Sequence, residues 1–169
     1  MPTVFAAGDL FGGCHVMVNR KTLDLFITHA WRYHDDWKRA VDMLNAFGLH
    51  RWRNFSLPWY DPALDPRTEK GGQIVRWNLE SQIIPAHAVI LLTSVLEEPG
   101  CRKWLDFELE MSRKHGKPVF ALPAWGKADV AAEVRERVQG VVAWDAAALM
   151  AAVEAHRNAS TTAPAAAAA

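Results

Sequence analysis

Hydrophobic and polar positions along the chain follow two periodicities, one typical of buried strands and one of amphipathic helices. Short apolar runs predict strands at residues 23–28, 52–57, 88–93, 118–122 and 141–144. Apolar residues at helical spacing predict helices at residues 35–47, 79–84, 103–115, 130–138 and 146–156. Because strands and helices alternate, we expect a flavodoxin-like α/β fold of three layers, with a five-stranded parallel sheet between helices.

The predicted domain covers residues 22–156. Residues 1–21 show no clear period and form an N-terminal extension, whereas residues 157–169 form a low-complexity, alanine-rich tail that we expect to be disordered. Residues 56–77 contain three prolines and two glycines and show no convincing element. A loop this long is uncommon in a compact domain, so we interpret it as either a floppy insertion or a lid over an active site.

Composition narrows the class of protein. Lysine plus arginine equals aspartate plus glutamate, which argues against a broad basic surface for nucleic acid but leaves room for a local cationic pocket that binds a phosphate. The two cysteines, Cys14 and Cys101, are too few for a disulfide scaffold and have no metal-ligand spacing. No apolar run approaches the ~18 residues of a membrane span. We therefore expect a cytoplasmic protein with no metal site and no membrane or nucleic-acid partner.

One carboxylate, Glu108, falls on the apolar face of its predicted helix. At about 100° per residue, Glu108 lies only about 40° from Trp104, while the other acidic residues of this helix lie on the opposite side. Burying an unpaired ionised carboxylate is costly. Glu108 should therefore be paired with a cation such as Arg32 or Lys103, bound to a backbone donor, protonated, or placed at a cleft.

Strand order suggests where such a cleft would be. In doubly wound sheets, ligands bind beyond the carboxyl ends of the strands, at the point where the strand order reverses. With the flavodoxin-like order 2-1-3-4-5, this point lies between the first and third strands. The first strand runs into residues 28–33, and Glu108 lies on the helix that follows the third strand. We expect Glu108 and this loop to converge on one crevice.

Two segments carry a family resemblance. Phe26-Ile-Thr-His-Ala-Trp31, followed by a helix, resembles the opening of the TIR-like family (Toll/interleukin-1 receptor-like domains). Lys103-Trp104-Leu-Asp-Phe-Glu108 resembles that family's tryptophan followed four residues later by a catalytic glutamate. The resemblance covers roughly residues 22–156 and is closest to the bacterial TIR-like proteins of Thoeris antiphage defence, through residues 54–58, 61–62, 116–119 and 123–126.

The resemblance implies an activity. Many family members cleave the nicotinamide–ribose bond of NAD, which is then a substrate rather than a cofactor. In the Thoeris-like branch the ADP-ribose part becomes a cyclic isomer, a second messenger that activates a separate effector protein. The resemblance leaves assembly into a homo-oligomer on activation open. Leu105 departs from many animal and plant members, which have a polar or small residue there, so classical TIR partner specificity is not implied.

The resemblance also implies roles for individual residues. Glu108 would be the catalytic carboxylate, next to an oxocarbenium-like ribose of the kind formed in glycoside hydrolysis. The substrate-binding residues would be Phe26, Thr28, His29, Ala30, Trp31, Tyr33, Pro58, Lys103 and Trp104. Trp31, Tyr33 or Trp104 would stack on the base or the nicotinamide, with Trp104 the best candidate, although core packing explains each of these aromatic residues at least as well. His29 would contact a phosphate or ribose hydroxyl, or form hydrogen bonds within its own loop.

Three other functions are compatible with the same residues. A plain NAD hydrolase would release linear ADP-ribose. A non-enzymatic TIR-type interaction module would not need the carboxylate of Glu108. A nucleoside deoxyribosyltransferase-like enzyme also uses a glutamate on a related fold, but would act on nucleosides and ignore NAD.

Overall fold

The computed structural model describes residues 22–32, 34–56 and 65–162. Its strands are β1 (Leu23–Ile27), β2 (Trp52–Asn54), β3 (Ala88–Leu92), β4 (Val119–Leu122) and β5 (Gly140–Val141). Its helices are α1 (Asp35–Gly48), α2 (Glu69–Ile83), α3 (Arg102–Lys114), α4 (Ala132–Arg135) and α5 (Ala146–Thr162), and a short 3-10 helix at Thr93–Glu97 follows β3. The predicted N-terminal extension lies outside the described residues.

The five strands form one parallel sheet in the order β2-β1-β3-β4-β5, which confirms the predicted flavodoxin-like α/β architecture. Every residue of β1 and β3 is buried, as expected for strands covered on both faces. Because β1 pairs with β2 on one side and β3 on the other, the strand order reverses beside β1. No helix of the described ranges is long and apolar enough to cross a membrane.

The predicted loop at residues 56–77 is wrong over its second half, because α2 already begins at Glu69. The hydroxyl of Thr68 caps this helix by accepting a hydrogen bond from the backbone N–H of Gly71 at 3.1 Å. A Cβ added to Gly71 would lie 1.9 Å from the carbonyl oxygen of Asp65, so glycine permits a close approach there. The paired glycines therefore belong to a tightly packed helix start, and residues 57–64 of the proposed lid lie outside the described residues.

Other boundaries differ from the predicted ones by a few residues. The two edge strands are short: β5 has two residues and β2 has three. Short edge strands limit the row of unpaired backbone groups that the sheet exposes. The predicted helix at residues 130–138 shortens to the four residues of α4. Helix α5 continues to Thr162, so residues 157–162 of the predicted tail are helical. The hydroxyls of Ser160 and Thr161 donate to the carbonyls of His156 and Arg157 one turn earlier. Residues 163–169 lie outside the described part of the chain.

The N-terminal cap of α1 comes from His34. Its Nδ1 accepts a hydrogen bond from the backbone N–H of Trp37 at 3.3 Å. The sequence suggests Asp35 or Asp36 for this role, but the carboxylate of Asp36 is buried and turned toward the end of β4. Asp36 therefore links two elements instead of capping one.

Candidate functional site

Glu108 is fully buried on α3, which confirms its predicted place among the apolar residues of that helix. Its Oε1 accepts a hydrogen bond from the backbone N–H of Ala30 at 3.0 Å. This contact joins α3 to the loop after β1, the convergence expected from the strand order. Among the described residues no cation lies beside the carboxyl group, and both Arg32 and Lys103 are exposed. Glu108 is therefore held by a backbone donor and not by an ion pair.

The second carboxyl oxygen of Glu108, Oε2, lacks a hydrogen bond of this kind. Oε2 forms no hydrogen bond with any of the described residues. Burial raises the pKa of Glu108 to about 8, and the backbone amides of His29 and Ala30 offset this only in part. With a pKa near 8, only roughly a tenth of the Glu108 carboxyl groups are ionised at neutral pH. A cationic group beside Oε2 would favour the anion and lower the pKa again.

The loop that contacts Glu108 has an unusual backbone. Ala30 and Trp31 have φ angles of 47° and 62°, a left-handed conformation that typically costs a residue other than glycine ~1–3 kcal/mol. The N–H of Ala30 bonds to Glu108, and the N–H of Trp31 donates to Nδ1 of His29 at 3.0 Å. At the start of the loop, the hydroxyl of Thr28 accepts from the N–H of Leu92 at the end of β3, at 3.0 Å. Buried side chains thus hold the loop in its strained shape.

His29 has a structural role in this loop. It is fully buried, and burial lowers the pKa of His29 to about 3, so the imidazole is neutral. Because Nδ1 accepts a hydrogen bond from Trp31, the proton resides on Nε2, which lies 3.4 Å from Oε1 of Gln82 on α2. Of the two predicted roles, hydrogen bonding within the loop is confirmed, and a neutral, buried ring is a poor phosphate ligand. Gln82 escapes sequence analysis because no motif or spacing points to it.

The predicted aromatic residues are largely in the core. Phe26 is fully buried, and Trp31 and Trp104 are each 8% exposed. Trp104 lies one helical turn before Glu108, and Nζ of Lys103 is 5.2 Å from the centroid of its ring. Core packing therefore accounts for most of the indole surface. The other two predicted substrate-binding residues, Tyr33 and Pro58, lie outside the described ranges.

A second group of residues at the same edge of the sheet was missed by the sequence analysis. The carboxylate of Asp36 accepts hydrogen bonds from the N–H of Trp125 at 3.1 Å and from Arg39 at 2.7 Å. Burial alone would raise the pKa of Asp36, but the nearby hydroxyl of Ser94 and the hydrogen bonds from Trp125 and Arg39 outweigh it and leave the pKa lowered. The indole of Trp125 is 57% exposed and lies edge to face with Trp144, with ring centroids 5.1 Å apart.

These two indoles line a pocket of about 400 Å³ at the carboxyl ends of β4 and β5. The candidate site therefore has a buried carboxyl group bonded to the loop after β1, and an apolar, aromatic pocket at the carboxyl ends of β4 and β5. The described residues contain no group of three or more His, Cys, Asp or Glu side chains placed to hold a metal ion.

In comparisons with known proteins, no family model and no curated protein match this chain.

Proposed function

We propose that this protein is a TIR-like enzyme that cleaves the nicotinamide–ribose bond of NAD and rearranges the ADP-ribose part into a cyclic isomer. The observation that carries the proposal is the fully buried Glu108, whose Oε2 forms no hydrogen bond with the described residues, at the reversal of strand order. This edge is where doubly wound sheets bind ligands. The choice of NAD rests on the resemblance of residues 26–31 and 103–108 to the TIR-like family.

The chemistry uses the charge that NAD brings. Its nicotinamide ring is cationic and leaves as a neutral molecule, taking the electrons of the bond to ribose. Next to the cationic ring the pKa of Glu108 falls, so its proton is released to solvent as NAD binds and before the site closes around it. The carboxylate then stabilises the positive charge that develops on the ribose. Losing one preorganised electrostatic contact of this kind typically slows a reaction ~10²–10³-fold.

Formation of a cyclic product needs an internal nucleophile on the bound ADP-ribose that attacks the ribose before water does. The full burial of Glu108 supports this outcome, because a substrate held beside it would be shielded from bulk water. The cyclic product would leave the enzyme and activate a separate effector protein in antiphage defence, as the resemblance to Thoeris proteins implies. Homo-oligomerisation on activation is compatible with this role.

The pocket beside Trp125 suits the adenine end of NAD. Its volume of about 400 Å³ lies within the ~300–1,000 Å³ typical of ligand pockets. The exposed indole offers a stacking surface, and stacking of a base on an aromatic side chain contributes ~1–3 kcal/mol in nucleic-acid complexes. A nucleotide that reaches from Glu108 to Trp125 would follow the carboxyl edge of the sheet.

Product analysis tests this function against its alternatives. The protein is incubated with NAD, and in parallel with a purine deoxynucleoside and a second base, and products are identified by mass spectrometry. We expect nicotinamide and a cyclic ADP-ribose isomer from NAD. Linear ADP-ribose alone would indicate a plain NAD hydrolase, and base exchange on the nucleoside would indicate a deoxyribosyltransferase. If neither substrate reacts while Glu108→Gln keeps its protection against phage, the interaction module would be the better account.

A further inference from the structure

A second cavity, with polar and charged residues in its lining, lies at the amino ends of the strands, opposite to the candidate site. It has a volume of about 160 Å³ and is lined by Leu109, Arg113, Lys117, Val119, Arg137 and Gln139. Lys117 and Gln139 come just before β4 and β5, so the cavity lies at the amino ends of these parallel strands. Glu108 contacts the loop at the carboxyl end of β1. The two sites therefore lie at opposite ends of the parallel strands.

The cavity carries an excess of positive charge. Three of its six lining residues are basic, and none is acidic. Among the described residues no carboxylate lies within ion-pair distance of Arg113 or Lys117, and Arg137 has Asp106 at 3.7 Å. Partial burial lowers the pKa of Lys117, with no acidic group to counter it. An anion in the cavity would supply the missing countercharge.

The backbone N–H groups around the cavity already have hydrogen-bond acceptors within the protein. The N–H of Lys117 donates to the carbonyl of Ser112 at 2.8 Å, and the N–H of Gln139 donates to the carbonyl of Val119 at 2.7 Å. The last turn of α3 is closed by similar bonds from residues 115 and 116. These bonds fix the backbone positions from which Lys117 and Gln139 project. The C-terminal end of α3 itself favours cations, so attraction of an anion would rest on the basic side chains alone.

The volume of the cavity limits the size of the ligand that it can hold. At ~30 Å³ per water, a volume of about 160 Å³ corresponds to roughly five water molecules. It is smaller than the ~300–1,000 Å³ of pockets that enclose a whole small molecule. A tetrahedral anion fits, and guanidinium groups match phosphate oxygens in geometry and charge. We propose that this cavity binds a phosphoryl group, supplied as free phosphate or as the phosphate of a nucleotide.

Titration of the full chain tests the site. Sodium phosphate is exchanged for chloride at constant ionic strength, and backbone amide shifts are followed by NMR. We expect saturable changes centred on Lys117 and Gln139. Lys117→Met and Arg113→Gln should each weaken binding about 10-fold or more, the usual effect of losing a charge-assisted hydrogen bond. The control Lys38→Gln removes an exposed cation on α1 and should bind as the wild type does.

A parallel titration with AMP identifies the source of the phosphoryl group. Tighter binding of AMP that is lost in the same two variants indicates a nucleotide, and equal binding of both ligands indicates free phosphate. Absence of saturable binding for both ligands would overturn the proposal, as would shifts centred on Ala30 or affinities unchanged in Lys117→Met and Arg113→Gln. Because the test needs no turnover of NAD, its outcome is independent of the proposed enzyme activity.

Discussion

Replacing Glu108 with glutamine should stabilise the fold by an amount that grows with pH. The glutamine keeps an oxygen that can accept from the N–H of Ala30 but has no charge to bury. The pKa of Glu108 is about 8 in the folded protein, against an ordinary value of 4.5. Between these values the folded state binds more protons than the unfolded state, so the wild type loses stability as pH rises through 8.

The magnitude follows from the two pKa values. Each pKa unit corresponds to about 1.4 kcal/mol, so ionisation of the buried Glu108 destabilises the wild type by about 5 kcal/mol at high pH. At pH 7 the loss is about 3 kcal/mol, because the unfolded chain is then ionised and the folded protein is mostly not. Below about pH 4.5 the difference disappears.

Urea unfolding from about pH 5 to about pH 9 measures this difference for the wild type, Glu108→Gln and the control Glu110→Gln. Glu110 is exposed on the same helix, so its replacement should leave the pH dependence unchanged. We expect the free energies of unfolding of wild type and Glu108→Gln to diverge from about pH 5 to about pH 8 and to differ by a constant amount above that. A constant difference from about pH 5 to about pH 8 would refute a buried, largely protonated Glu108.

Three further predictions concern the start of α2, the buried ring of His29 and the pocket beside Trp125. Gly71→Ala should destabilise the protein by ~1–3 kcal/mol because its Cβ would meet the carbonyl of Asp65, whereas Gly72→Ala, with 3.4 Å to its nearest neighbour, should cost little in the same thermal unfolding assay. Because burial lowers the pKa of His29 to about 3, the folded protein loses stability as pH falls below 6.5. His29→Gln should therefore make the stability of the fold less dependent on pH in the acid range, as measured by acid unfolding followed by circular dichroism. An unchanged acid unfolding transition would contradict a buried neutral ring. Trp125→Ala should raise the KM for NAD ~10-fold with little change in kcat or melting temperature, and an unaltered KM would remove the adenine end from that pocket.

The features that were predictable from sequence are those that local periodicity determines. The apolar runs of β1 and β3 are strong signals because both strands are buried along their length, and the periodicity of α3 is strong because one face of this helix is buried. The position of Glu108 on that face follows from helix geometry alone. Its convergence with the loop after β1 required only the strand order of the fold class.

The features that were not predictable depend on contacts between distant segments. The start of α2 was missed because Gly71 and Gly72 suggest a loop, whereas one of them is needed for close packing against Asp65. The contact between His29 and Gln82 joins residues 53 positions apart. The left-handed conformation of Ala30 has no local signal either, because a non-glycine residue adopts it only when its surroundings impose it.

The role of Glu108 in NAD cleavage is tested most directly by the rate of nicotinamide release. Wild type, Glu108→Gln and Glu110→Gln are compared at saturating NAD, with melting temperatures recorded for each protein. We predict that Glu108→Gln loses ~10²-fold or more in kcat while remaining at least as stable as the wild type, and that Glu110→Gln retains full activity. Nicotinamide release by a folded Glu108→Gln at the wild-type rate would contradict the account.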